Sequence, residues 1–64
     1  MTKLKIWREN ADMTQLELAG KSGISLRTLQ DYEQGAKPIN KAAAITVYKL
    51  AKALNVDIER LLEI

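Results

Sequence analysis

The sequence predicts a compact all-α fold of five short helices, and three observations lead there. Apolar residues recur at the 3,4-spacing of a helix face in several short windows, while no period-2 alternation lasts long enough for a strand. Helix-capping residues stand ahead of those windows, and glycine, asparagine or proline follows them. The chain has 64 residues, which reads as one domain over 1–64 near the lower size limit for independent folding. A chain this short buries only ~60% of its unfolded surface, so every helix must serve the same core.

The first helix is predicted over residues 2 to 11, with Leu4, Trp7, Arg8 and Ala11 on one face. Asp12 follows where the chain leaves the helix, and Asp tolerates the left-handed conformation better than most residues. The second helix opens at "TQLE": Thr14 can cap the Glu17 amide while the Glu17 carboxylate reaches back, a capping box. It ends about Ser22, and Gly23 turns the chain without steric cost. Ser25, a favoured N-cap, starts the third helix, which stops before Gly35. In "AKPIN", Pro38 prevents helix from running through.

The fourth helix is predicted from Asn40 or Lys41 to Leu54, and "KAAAI" within it is good helix former. Its apolar positions are Ile45, Val47 or Tyr48, Leu50, Ala51 and Leu54. Asn55 fits a left-handed C-terminal position, and Asp57 caps a last short helix, "IERLLEI". Gly20 inside the second helix costs about 1 kcal/mol relative to alanine, for which close packing would be the reason.

Composition excludes several function classes. Ten basic and eight acidic residues give a net charge of +2 and a pI near 9.1, which permits an anionic partner without demanding one. There is no cysteine and no histidine. The usual general bases, nucleophiles and metal ligands are therefore missing, and the carboxylates scatter along solvated faces. No enzymatic activity, metal or cofactor is expected. No apolar stretch approaches the ~18 residues of a membrane span, and no signal-peptide run opens the chain. The expected setting is the cytoplasm.

The third helix raises the functional question. At ~100° per residue, Ser25, Leu29 and Tyr32 cluster on one side, while Arg27, Gln30, Asp31 and Gln34 fall opposite with Leu26 at the edge. On an arbitrary helix such a face is simply solvated. Here a second helix precedes it across a short Gly-containing turn, the outline of a helix-turn-helix, though any αα-hairpin satisfies the outline alone. The residues make it specific. "MTQLELAGKSGISLRTLQDYEQG", residues 13–35, closely resembles the Cro/CI-type helix-turn-helix of phage repressors and small bacterial regulators of the xenobiotic-response-element class. "LKIWRE" and "LAKALNVDIERLL" resemble that family's first and last helices, so the resemblance covers nearly the whole chain.

The resemblance implies a lambda-repressor-like domain with the helix-turn-helix at about residues 14–34. It implies a sequence-specific regulator of transcription, a repressor, that lays helix 25–34 in the major groove of double-stranded DNA. Carried over by position, the base readers are Leu26, Arg27, Gln30 and Asp31. Arg27 suits guanine O6 and N7, and Gln30 suits adenine. The family has a polar side chain where Leu26 stands, which leaves Leu26 a thymine methyl. Asp31 has two readings, a cytosine amino acceptor or an intrahelical ion pair with Arg27 four residues earlier.

Gln15 matches the family's phosphate-contacting glutamine at a helix start that itself attracts anions. Ser25 and Thr28 carry hydroxyls near the next helix start, and Lys37, Asn40 and Lys41 are placed to grip a second phosphate; Ser25 is equally explained as a cap. Arg8 and Glu33 match an ion pair that ties the first helix to the third in these repressors, a structural role. The expected core around them is Leu4, Leu16, Leu18 or Ala19, Ile24, Leu29, Leu50, Leu54, Val56, Leu61 and Leu62, with Trp7 and Tyr48 partly covered.

Two-fold binding to an inverted repeat would need a homodimer, for which Ile58, Leu61, Leu62 and Ile64 offer apolar contacts, unless they only complete the monomer core. The rival function is an antitoxin or co-regulator whose main partner is another protein, favoured by Leu26 and the small net charge. A purely structural helical module is the third reading. The chain starts at methionine and stops just after the fifth helix, as standalone members do, so a complete regulator is expected.

Overall fold

Short-range caps delimit the helices of the computed structural model, which describes residues 1–64. Thr2 caps α1 (Lys3–Asn10) by accepting the Lys5 amide, and its hydroxyl donates to the Glu33 carbonyl at 2.9 Å. Asp12 then takes a left-handed φ of 56°, as its side chain permits. The capping box opens α2 (Gln15–Ser22): the Glu17 amide donates to Thr14 Oγ1 at 3.1 Å, and the Thr14 amide donates to Glu17 Oε1 at 2.8 Å. Gly23 closes that helix at φ 75°, and Ser25 caps α3 (Leu26–Gln34), which Gly35 ends at φ 78°. The last full helix is α4 (Ala44–Leu54), ended by Asn55 at φ 59°.

The core gathers one or more side chains from every element. Leu4 comes from α1, Leu18 and Ala19 from α2, Leu29 from α3, Ile39 from the loop before α4, and Leu61 from the C-terminal segment. Val47, Leu50, Ala51, Ala53 and Leu54 make α4 the largest contributor. Ile24, Val56 and Leu62 pack at its edge, as do Trp7 and Tyr32. α2 packs on both α3 and α4, and α1 lies against α3 and the C-terminal turn. This arrangement leaves one side of α3 outside.

Five expectations change. The fourth helix does not start at Asn40: Ile39–Lys41 is a separate 3₁₀ turn, and Ala42 and Ala43 are extended at ψ 155° and 141° before α4 begins. Buried Ile39 and an Asn40 side chain bonded to the Glu63 backbone override the helix preference of the alanines. In place of a fifth α-helix there is a 3₁₀ turn, Ile58–Arg60, and Asp57 makes no side-chain cap. The segment is too short to propagate, and Leu61 pins it to the core.

Leu16 is 69% exposed, because the buried face of α2 runs through Leu18, Ala19 and Ser22 on its other side. Ile45 and Tyr48 are likewise exposed while Val47 takes the interior position.

Gly20 is not packed closely: a Cβ there meets no atom within 4 Å, and its φ is not positive. Gly20→Ala is therefore expected to stabilise the chain by about 0.5–1 kcal/mol, raising Tm by roughly 2–8 °C in a thermal melt. An unchanged or lower Tm would contradict the open geometry. The Thr14 amide, then the Thr14 hydroxyl, hold the Glu17 carboxyl below its ordinary value of 4.5. A depressed folded value contributes stability that is complete above the unfolded value and drains as pH falls through the folded one. Glu17→Gln keeps a capping partner without the titration, so denaturant midpoints of the two chains should converge toward acid. A gap independent of pH would rule this out.

Candidate nucleic-acid interface

A buried ion pair sets the attitude of α3. Arg8 in α1 meets Glu33 in α3 through two bonds, Nε to Oε2 at 2.6 Å and Nη2 to Oε1 at 3.1 Å. Its third arm, Nη1, donates to the Met13 carbonyl at 2.7 Å, so the α1–α2 connection is tied to the same group. The bond to Glu33 raises the Arg8 pKa further, against the opposing pull of burial. No buried side-chain nitrogen or oxygen lacks a partner. The expected structural role of Arg8 and Glu33 matches this geometry.

Gln15, at the first position of α2, extends the network. Its Nε2 donates to Glu33 Oε1 at 3.1 Å, and its Oε1 accepts from Gln30 Nε2 at 3.4 Å. The chain Arg8–Glu33–Gln15–Gln30 thus runs from the interior to the edge of the exposed face of α3. One N–H of the Gln15 amide stays free. The resemblance signalled only the Arg8–Glu33 pair; the links through Gln15 join residues 18 and 15 apart, and glutamine carries no periodic mark.

The exposed face follows from how α3 is anchored. Leu29 and Glu33 face inward, which turns Leu26, Arg27, Gln30 and Asp31 out. None of the four is fully buried: Leu26 is 37% exposed, Gln30 is half-buried, and the Arg27 and Asp31 side chains are 85% and 18% exposed. Arg27 Nε stands 3.4 Å from Asp31 Oδ1, and neither Nη group bonds within the chain. Asp31 Oδ2 also lies 3.8 Å from Lys37 Nζ, while the Lys37 amide donates to the Asp31 carbonyl at 3.2 Å. The ion-pair alternative for Asp31 is the one with geometry behind it.

The other expected contacts divide. Ser25 is a cap, accepting the Thr28 amide at 3.2 Å and donating to Thr28 Oγ1 at 2.8 Å. Lys37 and Lys41 are exposed beside α3 and α4. Asn40 fastens the C-terminal segment, donating to the Glu63 carbonyl at 2.9 Å and accepting the Glu63 amide at 2.8 Å, and its second N–H stays open. Leu61 is a correction, since a fully buried side chain completes the monomer core and cannot meet another copy. Leu62 is half-buried and borders, with Ile39, Val47 and Ile58, an apolar cleft of about 220 Å³. Ile64 is exposed.

A family model described as helix-turn-helix matches residues 4–61, nearly all of this architecture. No curated protein and no solved structure matches the chain.

Arg8→Met would strand the Glu33 carboxylate in the interior, at a cost of about 3–5 kcal/mol. That is comparable to the whole stability of so small a domain, so circular dichroism should find the variant largely unfolded at room temperature. Adding Glu33→Leu removes the stranded charge and should restore much of the helix signal. A single variant that melts within a few degrees of the parent would show that the pair bears little load.

Proposed function

The chain belongs to the helix-turn-helix family of Cro/CI type, and we propose that it is a sequence-specific regulator of double-stranded DNA that represses transcription. One observation carries the reading. Arg27 projects from a helix whose opposite side is locked to the core, with both Nη groups unbonded. A guanidinium so held can donate two bonds to one guanine edge when α3 enters the major groove.

Leu26 offers its methyls to a thymine, and Gln30, steadied by Gln15, is set for an adenine. The free Gln15 N–H, the start of α2, the Thr28 hydroxyl, Lys37 and Lys41 take phosphates. Repression follows from occupancy, since a protein seated across a promoter excludes polymerase. Two copies, meeting through Ile58, Leu62 and Ile64, would read an inverted repeat with half-sites about one helical turn apart. With neither cysteine nor histidine, the chain has no catalytic role in this scheme. Its setting is the cytoplasm.

A second reading rests on Leu26, an apolar side chain 37% exposed at the edge of the supposed reading face. On that reading the face meets another protein, and the chain is an antitoxin or co-regulator.

Selection from a random duplex pool at low and moderate salt separates the two. The DNA reading expects a palindromic consensus and affinity that falls steeply with salt. Arg27→Ala should flatten one base position in each half-site, about 1–3 kcal/mol or roughly 5- to 150-fold, whereas Lys41→Ala should weaken all sequences by a common factor. No enrichment at low salt, or an Arg27→Ala profile identical to the parent's, defeats the DNA reading.

A further inference from the structure

α2 and α4 leave a second charged surface for which α3 has no use. Lys21 in the last turn of α2 and Lys49 and Lys52 in α4 line, with Tyr48 and Ala53, a cleft of about 310 Å³. None of the three lysines forms an ion pair. α4 contains no acidic residue, and Glu17, one turn before Lys21, is committed to the capping box. Three unpaired cations thus stand together, whereas on the α3 side Asp31 offsets Arg27 and Lys37. Nothing in the fold requires this crowding, and like charges held close oppose folding.

The cleft also has an apolar floor. Tyr48 is 48% exposed, and Lys52 Nζ rests 5.8 Å from the centre of its ring. The Ala53 methyl and the lysine stems continue that surface. Beyond Tyr48 and Lys52, the neighbouring depression is bordered by Asp57 and Glu59. The positive region therefore has an edge, which would orient an anionic visitor.

The cleft lies off the DNA side. Lys21 follows Gln15 by six residues in α2, about 9 Å along the axis and about 120° around it. Gln15 sits beside Gln30, and α2 separates α3 from α4. A space of this size takes one or two side chains of an occupant, and a rim of ammonium groups over an aromatic floor complements carboxylates interleaved with apolar groups.

We propose that the cleft between α2 and α4 is a docking site for an acidic, amphipathic segment of a partner protein, open while α3 is engaged on DNA. The protein then joins a DNA site to a second regulator, a role that stands apart from which bases α3 reads.

The test uses the whole chain, isotopically labelled, and a short end-blocked peptide of alternating glutamate and leucine. Amide shifts on titration should concentrate at Lys21, Tyr48, Lys49 and Lys52. Lys49→Glu with Lys52→Glu should weaken the peptide by about tenfold or more, and Lys41→Glu by less than about twofold. Tyr48→Ala, which leaves the charge intact, should weaken it too. A well-dispersed spectrum for each variant shows that it folds, and the parent's shift map decides alone if one does not. Shifts centred on Arg27 and Lys37, no binding at millimolar peptide, or a short duplex that shifts the same lysines and displaces the peptide would each overturn the proposal.

Discussion

The Arg8–Glu33 pair is the constraint from which the rest of the structure follows. Burying two charges is not an efficient source of stability, because the desolvation of each nearly offsets their attraction. What the pair supplies is orientation. A carboxylate that must find its guanidinium, and a guanidinium that must also reach the Met13 carbonyl, leave α3 one seat against α1. Hydrophobic contacts through Leu29 alone would tolerate a slide or a roll. The bidentate geometry does not.

That constraint is worth its cost because the domain has so little else. Eleven side chains make the core, and the outward face of α3 adds nothing to it. The fold compensates locally. Thr2, Thr14 and Ser25 each satisfy helix-start amides, and Gly23, Gly35 and Asn55 end helices in left-handed conformations. The Thr2 hydroxyl also reaches the Glu33 carbonyl, so a cap on α1 reinforces the ion pair beneath it. Asn40 uses both ends of its amide to fasten the C-terminal segment over Ile39 and Leu61.

Features decided within four residues could be read from the sequence. The Thr14–Glu17 box, the Ser25 cap and the glycine turn at 23 are chemistry between near neighbours, so residue type and spacing specify them. The polar face of α3 was legible for a similar reason, since Leu29 fixes the inward direction and 100° steps give the rest. Distant partners were legible only where the family resemblance supplied them, as for Arg8 and Glu33. Leu16 looks like core by composition, yet Leu18, Ala19 and Ser22 claim the buried side of α2. The tie between Asn40 and the Glu63 backbone spans 23 residues, and no local pattern marks it. The alanines after Asn40 promise helix until Ile39 is drawn inward. Thr2 did carry a signal, a capping residue just before the first apolar period.

The charge pattern on α3 bears on how such a face would discriminate between sequences. Phosphate attraction raises affinity for every duplex alike, while base-edge bonds separate one duplex from another. Asp31 reduces the first by facing both Arg27 and Lys37. On the proposed reading it would help the second, because a guanidinium restrained at Nε loses less rotational freedom when its Nη groups find a guanine. Gln15 does the same for Gln30, and Gln15 is itself held by the buried Glu33. The restraint on the two longest polar side chains of the face thus originates in the ion pair below it. A more basic α3 would bind DNA more tightly and choose less well, so modest charge and a rigid support belong to one solution.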